Sequence, residues 1–588
     1  MLALAAGTAW ADEASPDANA AANAFFERAF DERLQLEPTL ATSLGLKTGD
    51  DRWQDASEAG EAERLALSKR QLAELRAIDP EKLDDATRLS WQVFEAGEER
   101  RIARYPWRNH AYFFDKNGEH ASTPAFLINT HRIESEADAV AYIRRLEGIR
   151  PLFEQQLARA AAAAKQGIAP PKFVHPYVVE DAGNVIQGRP FDDGPADSVL
   201  LADFRAKVGK LGIDAARREQ LIGRAELALL ESVEPAYDAV IAWAKETEKA
   251  ASTDDGVWRL PDGASYYDYL LKNYTTTGLT ADEIHAIGLA EVARIHDEMR
   301  AIMKQVGFEG DLAAFFDFMR TDERFYYPDT PEGREAWLAD ANRHIVAMRA
   351  KLPELFVTLP KAEVVVKAVE PFREKSAGKA FYQRPTADGS RPGVFYGNLY
   401  RMKEMPKYEL EALTYHEAIP GHHMQNAIAL EEAAIPRFRR SGYFTAYGEG
   451  WGLYSERLGK ELGFYADPWS EFGRLALELH RAVRLVVDTG LHAKRWTREQ
   501  TIRYHVEHSP TGEDAAIRAT ERYILNPGQA TAYMIGMLKI VELRERAAAA
   551  LGPKFDKREF HDLVLRTGSV PLTVLESEVE RWVAARKG

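Results

Sequence analysis

The chain is organised around the stretch YHEAIPGHHMQ at residues 415–425, which YGEGW at residues 447–451 completes further downstream. Together the two segments supply three histidines and two glutamates in a sequence that contains no cysteine. A zinc ion that takes part in chemistry is usually held by three protein ligands, with a position left open for water. Two histidines and one glutamate are one of the common sets. The two segments therefore predict a metal centre of this kind.

The spacing of the histidines departs from the H-E-x-x-H arrangement, in which one helical turn puts both imidazoles on one face. Pro420 stands in the place of the second histidine, and His423 would lie roughly 10 Å from His416 along a regular helix. One zinc ion cannot bridge that span with Zn–N distances of about 2.0–2.1 Å. Because proline and Gly421 both interrupt helices, a break there would turn His422 towards His416. The alternative is a helix that ends before the proline and leaves both later histidines in a solvated turn.

The segment resembles the signature of the bacterial family called domain of unknown function 885, which is similar to the gluzincin metallopeptidases. That group includes thimet oligopeptidase, neurolysin, angiotensin-converting enzyme and the thermostable carboxypeptidases. Their motif is His-Glu followed after two residues by His, often with glycine before the second histidine. Matching the Gly-His element selects Gly421-His422, so the resemblance implies His416 and His422 as the first two ligands of one zinc ion per chain. His423 is the alternative second ligand.

The same resemblance implies that the third ligand is a glutamate on a following helix. Glu449 is preferred, because it stands in a glycine-spaced stretch where a backbone can come close to the metal. Glu456, two turns further on, is the alternative ligand, or else an acceptor that orients a ligand imidazole. Glu417 holds the position of the general base in such motifs and is expected to take that role here.

The chain as a whole is predicted to be mainly α. Apolar residues recur at three- and four-residue steps along most of it, for example over residues 24–30, and strand patterns are scarce. A capping box at Thr280–Glu283 predicts the start of a helix that continues through Ile284–Val306. The resemblance implies a large helical body around a deep substrate channel, with a small β-sheet next to the metal site. Residues 12–588 are expected to form a single metallopeptidase-like domain, with room for two lobes.

Two short strands are predicted directly upstream of the metal motif, at Val364–Val369 and Gly393–Leu399. Gluzincins place a small sheet there whose edge pairs with the substrate, and such pairing holds a peptide through its main chain. By that similarity the second strand is expected to bind substrate, while the alternative is a hairpin that only packs against helices. The candidate substrate-binding residues are Gly393, Phe395, Tyr396 and Asn398.

A helix downstream of Glu449 is predicted to carry polar side chains on one face. They fall at four-residue steps, at His480, Arg484, Asp488 and His492. The aliphatic residues between them indicate a partly buried helix, which favours the wall of a polar cleft over a solvated face. Arg484 is therefore a candidate to bind substrate.

The segment NPGQATAY at residues 526–533 resembles another signature of the same family. A tyrosine hydroxyl there would hydrogen-bond the oxyanion that develops on a hydrolysed amide. Tyr533 is the candidate for this catalytic role, with His505 and Tyr523 as alternatives.

The first eleven residues are apolar and end in an A-x-A-like pattern, Ala9-Trp10-Ala11. We expect a secretory signal that is cleaved before Asp12 and whose charged beginning lies upstream of Met1. The alternative is a frayed apolar terminus. Export would place the protein in a periplasm or outside the cell, where the lack of cysteine excludes disulfides. No run of about 18 apolar residues exists, so no membrane span is predicted.

The function predicted from the sequence is zinc-dependent hydrolysis of peptide bonds in short oligopeptides, since the implied channel would exclude folded proteins. A formal net charge of −15 argues against nucleic acid as a partner. One alternative is a catalytically inactive peptide-binding protein of the same fold. Another is a metal-dependent hydrolase that acts on a non-peptide amide or ester.

Overall fold

A computed structural model describes residues 16–587 except 371–373, 375–377, 386–390 and 433–434. The predicted signal segment at residues 1–11 and its cleavage point lie outside the described residues. Within them the protein is mainly α-helical and carries one small three-stranded β-sheet, which confirms the predicted fold class. In this part of the chain, no helix is long and apolar enough to cross a membrane.

The chain divides into two compact units. The first holds the described residues up to Asp255 together with Arg259–Pro261, and the second holds Gly256–Trp258 together with the described residues from Asp262 onward. The helices of the first unit are α1 (Pro16–Leu36), α2 (Pro38–Ser43), α3 (Glu58–Arg76), α4 (Asp85–Arg104), α5 (Glu119–Asn129), α6 (Glu136–Glu147), α7 (Ile149–Ala164), α8 (Val174–Val185), α9 (Val199–Val208), α10 (Ala215–Ala228) and α11 (Glu234–Thr247).

Aromatic packing and a buried ion pair join α1 to α4 in the first unit. The rings of Phe25 and Phe26 lie 5.2 and 5.8 Å from the ring of Phe94, measured between centroids. Beside them the buried guanidinium of Arg33 lies 2.8 Å from the carboxylate of Glu98. Because a buried charge is costly without its partner, this pair fixes how the two helices meet.

The second unit contains the remaining helices and the sheet. Its helices are α12 (Gly263–Thr275), α13 (Ala281–Gln305), α14 (Leu312–Thr321), α15 (Pro331–Lys351), α16 (Lys407–Glu417), α17 (His422–Glu431), α18 (Arg437–Ser441), α19 (Thr445–Glu461), α20 (Pro468–His492), α21 (Arg498–His508), α22 (Glu513–Leu525), α23 (Ala532–Leu551), α24 (Lys557–Thr567) and α25 (Leu572–Lys587). Its strands are β1 (Val364–Ala368), β2 (Ala380–Gln383) and β3 (Gly393–Gly397).

The predicted capping box at the start of α13 is confirmed. The side chain of Thr280 accepts a hydrogen bond from the backbone N–H of Glu283, and the Glu283 carboxylate accepts one from the backbone N–H of Thr280. Two of the four backbone donors left unpaired at a helix start are satisfied in this way.

Helix α20 lies in the core of the second unit, packed against α13 and α16. Every residue of Arg481–His492 is buried, as is typical of a helix covered on all sides. Two glycines let the neighbouring backbones approach. A Cβ on Gly288 of α13 would lie 2.7 Å from the Cβ of Leu485, and one on Gly473 would lie 1.7 Å from the carbonyl oxygen of Tyr408 in α16.

Helices α19 and α23 also cross through glycine contacts. A Cβ on Gly450 would lie 2.5 Å from the carbonyl carbon of Gly536, and a Cβ on Gly536 would lie 1.9 Å from the carbonyl oxygen of Ala446. Since these contacts are made with backbone atoms, no side-chain rotation would relieve them. The two glycines therefore set the position of α19, which carries Glu449 near its start.

The sheet has the strand order β1-β3-β2, with β1 parallel and β2 antiparallel to β3. Strands β1 and β3 match the two predicted strands. Strand β2 is not predicted by the sequence pattern, because its four residues are too few to show a clear two-residue period.

The central position of β3 contradicts the prediction that this strand pairs with a substrate. Its flanks are occupied by β1 on one side and β2 on the other, and all five of its residues are buried. A strand inside a sheet offers no row of free N–H and C=O groups to a peptide. Gly393 instead allows close packing on α17, since a Cβ there would lie 2.4 Å from the Nδ1 atom of His423.

The other three predicted substrate residues of this segment are also engaged within the protein, so their assignment is corrected in the same way. The ring of Phe395 packs against Trp337 with centroids 5.8 Å apart, and Tyr396 stacks on Phe381 at 5.0 Å. The side chain of Asn398 donates a hydrogen bond to a backbone carbonyl 2.8 Å away. These contacts connect β3 and the residue after it to α15, to β2 and to Glu374.

The helix crossing predicts a strong effect of Gly536→Ala. The added methyl group would force α19 and α23 apart, and overpacking of this kind costs on the order of 3 kcal/mol. We expect a clearly lower midpoint of thermal unfolding, measured by circular dichroism. Gly223→Ala in α10 is the control, because a Cβ there meets open space and alanine should stabilise the helix by about 0.5–1 kcal/mol. An unchanged midpoint for Gly536→Ala would contradict the described crossing.

Candidate metal centre

A break between α16 and α17 brings two histidines together. Helix α16 ends at Glu417 and α17 begins at His422, and the Ile419–Pro420 peptide bond between them is cis. Gly421 has no room for a side chain, because a Cβ there would lie 2.0 Å from the carbonyl oxygen of His416. The break that the sequence predicts at this point is therefore present.

Three side chains converge as the sequence predicts for a metal ligand set. One ligand atom each of His416, His422 and Glu449 lies within 4.8 Å of the other two. The Oε2 atom of Glu449 is 3.7 Å from Nε2 of His416 and 3.4 Å from Nε2 of His422. Atoms held about 2 Å from one ion in a tetrahedral set lie roughly 3.3 Å apart. The three donors thus fit a zinc ion in both type and spacing.

The backbone of α19 comes close to both imidazoles. Gly452 follows Glu449 by one helical turn, and a Cβ there would lie 2.8 Å from Cε1 of His416 and 3.1 Å from Cε1 of His422. The indole N–H of Trp451 donates a hydrogen bond to a carbonyl oxygen in the break, at 2.9 Å. The glycine-spaced stretch of the sequence is thus needed for the approach of α19 to the histidines.

Glu456 lies behind the first histidine and outside the converging set. Its carboxylate lies 2.8 Å from Nδ1 of His416 and is almost fully buried. A hydrogen bond at Nδ1 leaves Nε2 free to bind a metal, and such acceptors fix the orientation of a ligand ring. The structure therefore places Glu456 as an orienting acceptor, while Glu449 joins the set.

His423, the alternative second ligand, is engaged elsewhere. Its Nδ1 atom lies 3.0 Å from the hydroxyl of Tyr382 in β2, and its Nε2 atom lies 2.9 Å from the carbonyl oxygen of Ala362. The side chain is fully buried in these contacts. His423 therefore connects α17 to the sheet, and the sheet reaches the metal centre through this histidine, as the predicted fold places it.

Glu417 lies at the end of α16, next to the first histidine, and is 7% exposed. Among the described residues its carboxylate has no hydrogen-bond partner, so it can bind a water molecule. Burial raises its pKa, with a contribution from Glu449, whereas His416 and His422 oppose the increase. A buried, unpaired carboxylate beside three possible metal ligands has the properties of a general base.

The carboxylates around His416 and His422 favour a positive charge between them. Burial lowers the pKa of His416, but the carboxylates of Glu449 and Glu456 on its two nitrogens outweigh burial and raise it to about 10. Burial also acts on Glu449, yet its interactions with His416 and His422 hold its pKa well below the usual range. A divalent cation would satisfy the same carboxylates with both imidazoles neutral.

The predicted residues Tyr533 and Arg484 lie side by side, on α23 and α20. The guanidinium carbon of Arg484 is 4.6 Å from the centroid of the Tyr533 ring. The hydroxyl of Tyr533 accepts a hydrogen bond from Arg522 at 3.4 Å, and the hydroxyl of Tyr523 accepts one from Arg484 at 3.3 Å. Among the described residues the hydroxyl of Tyr533 donates no hydrogen bond, so its proton is available to another acceptor.

His505, predicted as a further catalytic residue, has no exposed surface in the structure. Its ring stacks on Tyr523, with centroids 5.8 Å apart, and burial together with Arg484 lowers its pKa to about 3. It is therefore neutral at physiological pH. In this position His505 supports Tyr523 and is not placed to touch a substrate.

Tyr443 is a residue of the site that the sequence does not indicate. A Cβ on Gly448 would lie 2.5 Å from the Tyr443 hydroxyl, which puts this hydroxyl over the first turn of α19, one residue before Glu449. The residue as a whole is 40% exposed, so its side chain is open to solvent as well as to α19. Its place depends on how the segment before α19 folds back, which no local pattern reveals.

The solved structures that resemble this chain include proteins from two organisms. A protein from Colwellia psychrerythraea, described as a "putative lipoprotein", has a crystal structure with a TM-score of 0.89 and 34% sequence identity, covering 97% of this chain and 99% of that one. A protein from Shewanella oneidensis, described as a "putative lipoprotein of unknown function", has a TM-score of 0.74 and 18% identity, covering 94% and 98%. At that lower identity the likeness shows the fold alone.

A comparison with curated protein sequences finds no match. The family described as "Bacterial protein of unknown function (DUF885)" matches residues 38–579. This extent takes in most of both compact units and includes every residue of the candidate metal centre. The chain therefore belongs to the DUF885 family, as the motif at residues 415–425 predicts.

Proposed function

We propose that the protein is a zinc-dependent peptidase that hydrolyses peptide bonds in short oligopeptides. The observation that carries the proposal is the convergence of His416, His422 and Glu449 beside the unpaired carboxylate of Glu417. When bound there, zinc supplies a Lewis acid that polarises a carbonyl group and lowers the pKa of a water molecule. The resemblance of the motif to the gluzincins supports the choice of peptides as substrates.

In this proposal Glu417 moves the proton. Its carboxylate accepts a proton from the attacking water as the water oxygen bonds to the carbonyl carbon of the substrate. The same group then donates that proton to the leaving nitrogen as the C–N bond breaks. Its burial and raised pKa suit both steps, since a general acid–base works best when its pKa lies near the operating pH.

Two tyrosines are candidates to stabilise the tetrahedral intermediate. The hydroxyl of Tyr533 accepts from Arg522 and can donate its own proton to an oxyanion. Tyr443 reaches the start of α19 beside Glu449 and is a second donor on that side. Tyrosine hydroxyls at this position would donate hydrogen bonds to the oxyanion.

The alternative of an inactive peptide-binding protein rests on the two extra residues in the motif. The break between α16 and α17 accommodates those residues and keeps both imidazoles directed at Glu449. This geometry favours the peptidase over the binding protein. The same centre would also serve hydrolysis of a non-peptide amide or ester, which remains the second candidate activity.

We also propose an extracytoplasmic location, in the periplasm or outside the cell. The signal pattern of residues 1–11 supports it, and both structural relatives are described by names that include lipoprotein.

The ligand set predicts the metal content of four proteins. Wild type should contain close to one zinc ion per chain, His422→Ala and Glu449→Gln should lose it, and His423→Gln should keep it. The physical reason is that only the first two variants remove a donor from the converging set. Elemental mass spectrometry of folded protein measures this content. Full zinc in His422→Ala, or a wild type that stays empty after incubation with zinc, would contradict the proposed centre.

The role of Glu417 predicts that Glu417→Gln keeps zinc but loses activity. Amide and carboxyl side chains have nearly the same shape, yet the amide cannot accept the proton, so kcat should fall about 10²- to 10⁴-fold. Cleavage of a fluorescence-quenched peptide library measures the loss, with zinc content as the control. Equal turnover by the variant and wild type would exclude Glu417 as the base.

The hydrogen bond from His416 to Glu456 predicts a weaker effect of Glu456→Gln. The amide still fits beside Nδ1 but no longer carries the charge that orients and strengthens the imidazole ligand. Zinc affinity should drop about 10- to 100-fold, as measured by competition with a chelator, while stoichiometric binding at high zinc persists. Unchanged affinity would show that Glu456 does not act through the ligand.

A further inference from the structure

Three arginines gather around the ring of Tyr533. Arg481 and Arg484 belong to α20, and their guanidinium carbons lie 6.0 and 4.6 Å from the ring centroid. Arg522 of α22 reaches the hydroxyl of the same tyrosine at 3.4 Å. We call these four residues the arginine pocket.

The arginine pocket is short of negative charge. Arg481 and Arg484 are only 7% and 8% exposed. In the described part of the chain, no carboxylate lies within ion-pair distance of Arg484 or Arg522. Arg481 is 3.7 Å from Glu456, whose carboxylate already accepts from His416 at 2.8 Å. A buried cation without a partner destabilises the folded protein. An anion bound in this cluster would therefore be stabilised by it.

Individual donor atoms show the same deficit. Nη1 of Arg484 and Nε of Arg481 are buried and have no hydrogen-bond partner among the described residues. Arg474, two turns earlier on α20, is equally buried but pairs with Glu471 at 2.7 Å and Glu478 at 2.5 Å. On the same helix, Arg474 is thus paired with two carboxylates, whereas Arg481 has only Glu456 at 3.7 Å and Arg484 has none within ion-pair distance among the described residues.

The neighbouring groups do not compensate for this charge. His480 lies 3.1 Å from Arg484, and burial with the adjacent arginine keeps its pKa well below the usual range, so it stays neutral. His505 is neutral for the same reasons. The charge of Glu449 has a long-range electrostatic interaction with Arg522 but makes no ion pair with it, and Glu449 belongs to the converging ligand set.

The pocket lies close to the metal centre. Arg481 contacts Glu456, and Glu456 contacts the ligand His416, so two side-chain contacts connect the pocket to the proposed ion. On the ligand side, the charge of Arg481 acts on Glu417 and that of Glu449 acts on Arg522. Groups of a bound peptide beside its scissile bond would therefore come near the pocket.

We infer that the arginine pocket binds a carboxylate of the peptide substrate and so selects peptides with an acidic group near the scissile bond. Guanidinium groups match the planar, two-oxygen shape of a carboxylate, and such charge-assisted hydrogen bonds are about twice as strong as neutral ones. The carboxylate belongs either to the C-terminus of the peptide or to an aspartate or glutamate side chain. The inference rests on the proposed function, since it assigns the substrate of that centre.

The test measures peptide binding without turnover, by isothermal titration of the full-length, zinc-loaded Glu417→Gln protein. The ligands are one peptide as the free acid, the same peptide as the C-terminal amide, and two amides with an internal glutamate or glutamine. The first pair compares the free acid with its amide, and the second compares glutamate with glutamine. In one of these pairs we expect the acidic peptide to bind about 10- to 100-fold more tightly than the neutral one. The pair that differs identifies the source of the carboxylate.

Adding Arg484→Gln or Arg522→Gln should remove most of that difference, because each deletes a charged donor of the pocket. Arg503→Gln is the matched control, since Arg503 is exposed on α21 and should leave the difference intact. Arg522 is less buried than Arg484, so its variant provides a second reading if the first one unfolds.

Equal binding of all four peptides would overturn the carboxylate assignment while leaving peptide hydrolysis by the wild type unaffected. A difference that survives both pocket variants would also overturn it, because another group would then read the charge. If no peptide binds, the peptide substrate itself is wrong, and the pocket assignment falls with it.

Discussion

The candidate metal centre depends on one constraint, which is that His416 and His422, six positions apart, must direct their imidazoles at the same carboxylate. A continuous helix cannot meet it, so α16 stops and α17 starts afresh across Gly421, where only glycine fits. The carboxylate of Glu449 must then come close to both imidazoles, and the missing side chain of Gly452 leaves the space for α19 to approach them. That approach in turn depends on the glycine contact at Gly536, because α23 holds α19 from the other side. The positions of the three side chains are thus fixed by close backbone contacts between α19 and its neighbours on both sides.

Charge imposes a second requirement on the same place. Glu417 and Glu456 are buried, Glu449 is mostly buried, and together they would destabilise the fold if left without cations. Arg481 lies near one of them, and its charge balances one carboxylate. A divalent ion with neutral imidazoles would balance the other two carboxylates. The buried carboxylates therefore require positive charge beside them, which a protonated His416 or a bound cation would supply.

Sequence reasoning succeeded where a local pattern has a physical cause. The order of His416, Gly421 and His422 implies a break in the helix, and the Thr280 cap marks a helix start, because both depend on neighbouring residues alone. It predicted β1 and β3 but missed β2 and therefore the central position of β3, because β2 is a four-residue strand without a readable pattern. It also missed Arg481, because the side of α20 that faces Tyr533 is decided by packing between distant helices.

The polar stripe of α20 shows how the fold and the candidate site are coupled. Its first half carries Arg484 in the arginine pocket. One turn later Asp488 is fully buried and accepts hydrogen bonds from Tyr267 at 2.6 Å and from the backbone N–H of Gly528 at 2.9 Å. Gly528 opens the turn that leads into α23, with a left-handed φ of 79°, and Tyr533 follows within that helix. The helix that holds the arginines therefore also anchors the segment that presents the tyrosine between them. A shift of α20 would displace the start of α23. The distance between the Arg484 guanidinium and the Tyr533 side chain is therefore set by packing in the core and not by a surface loop.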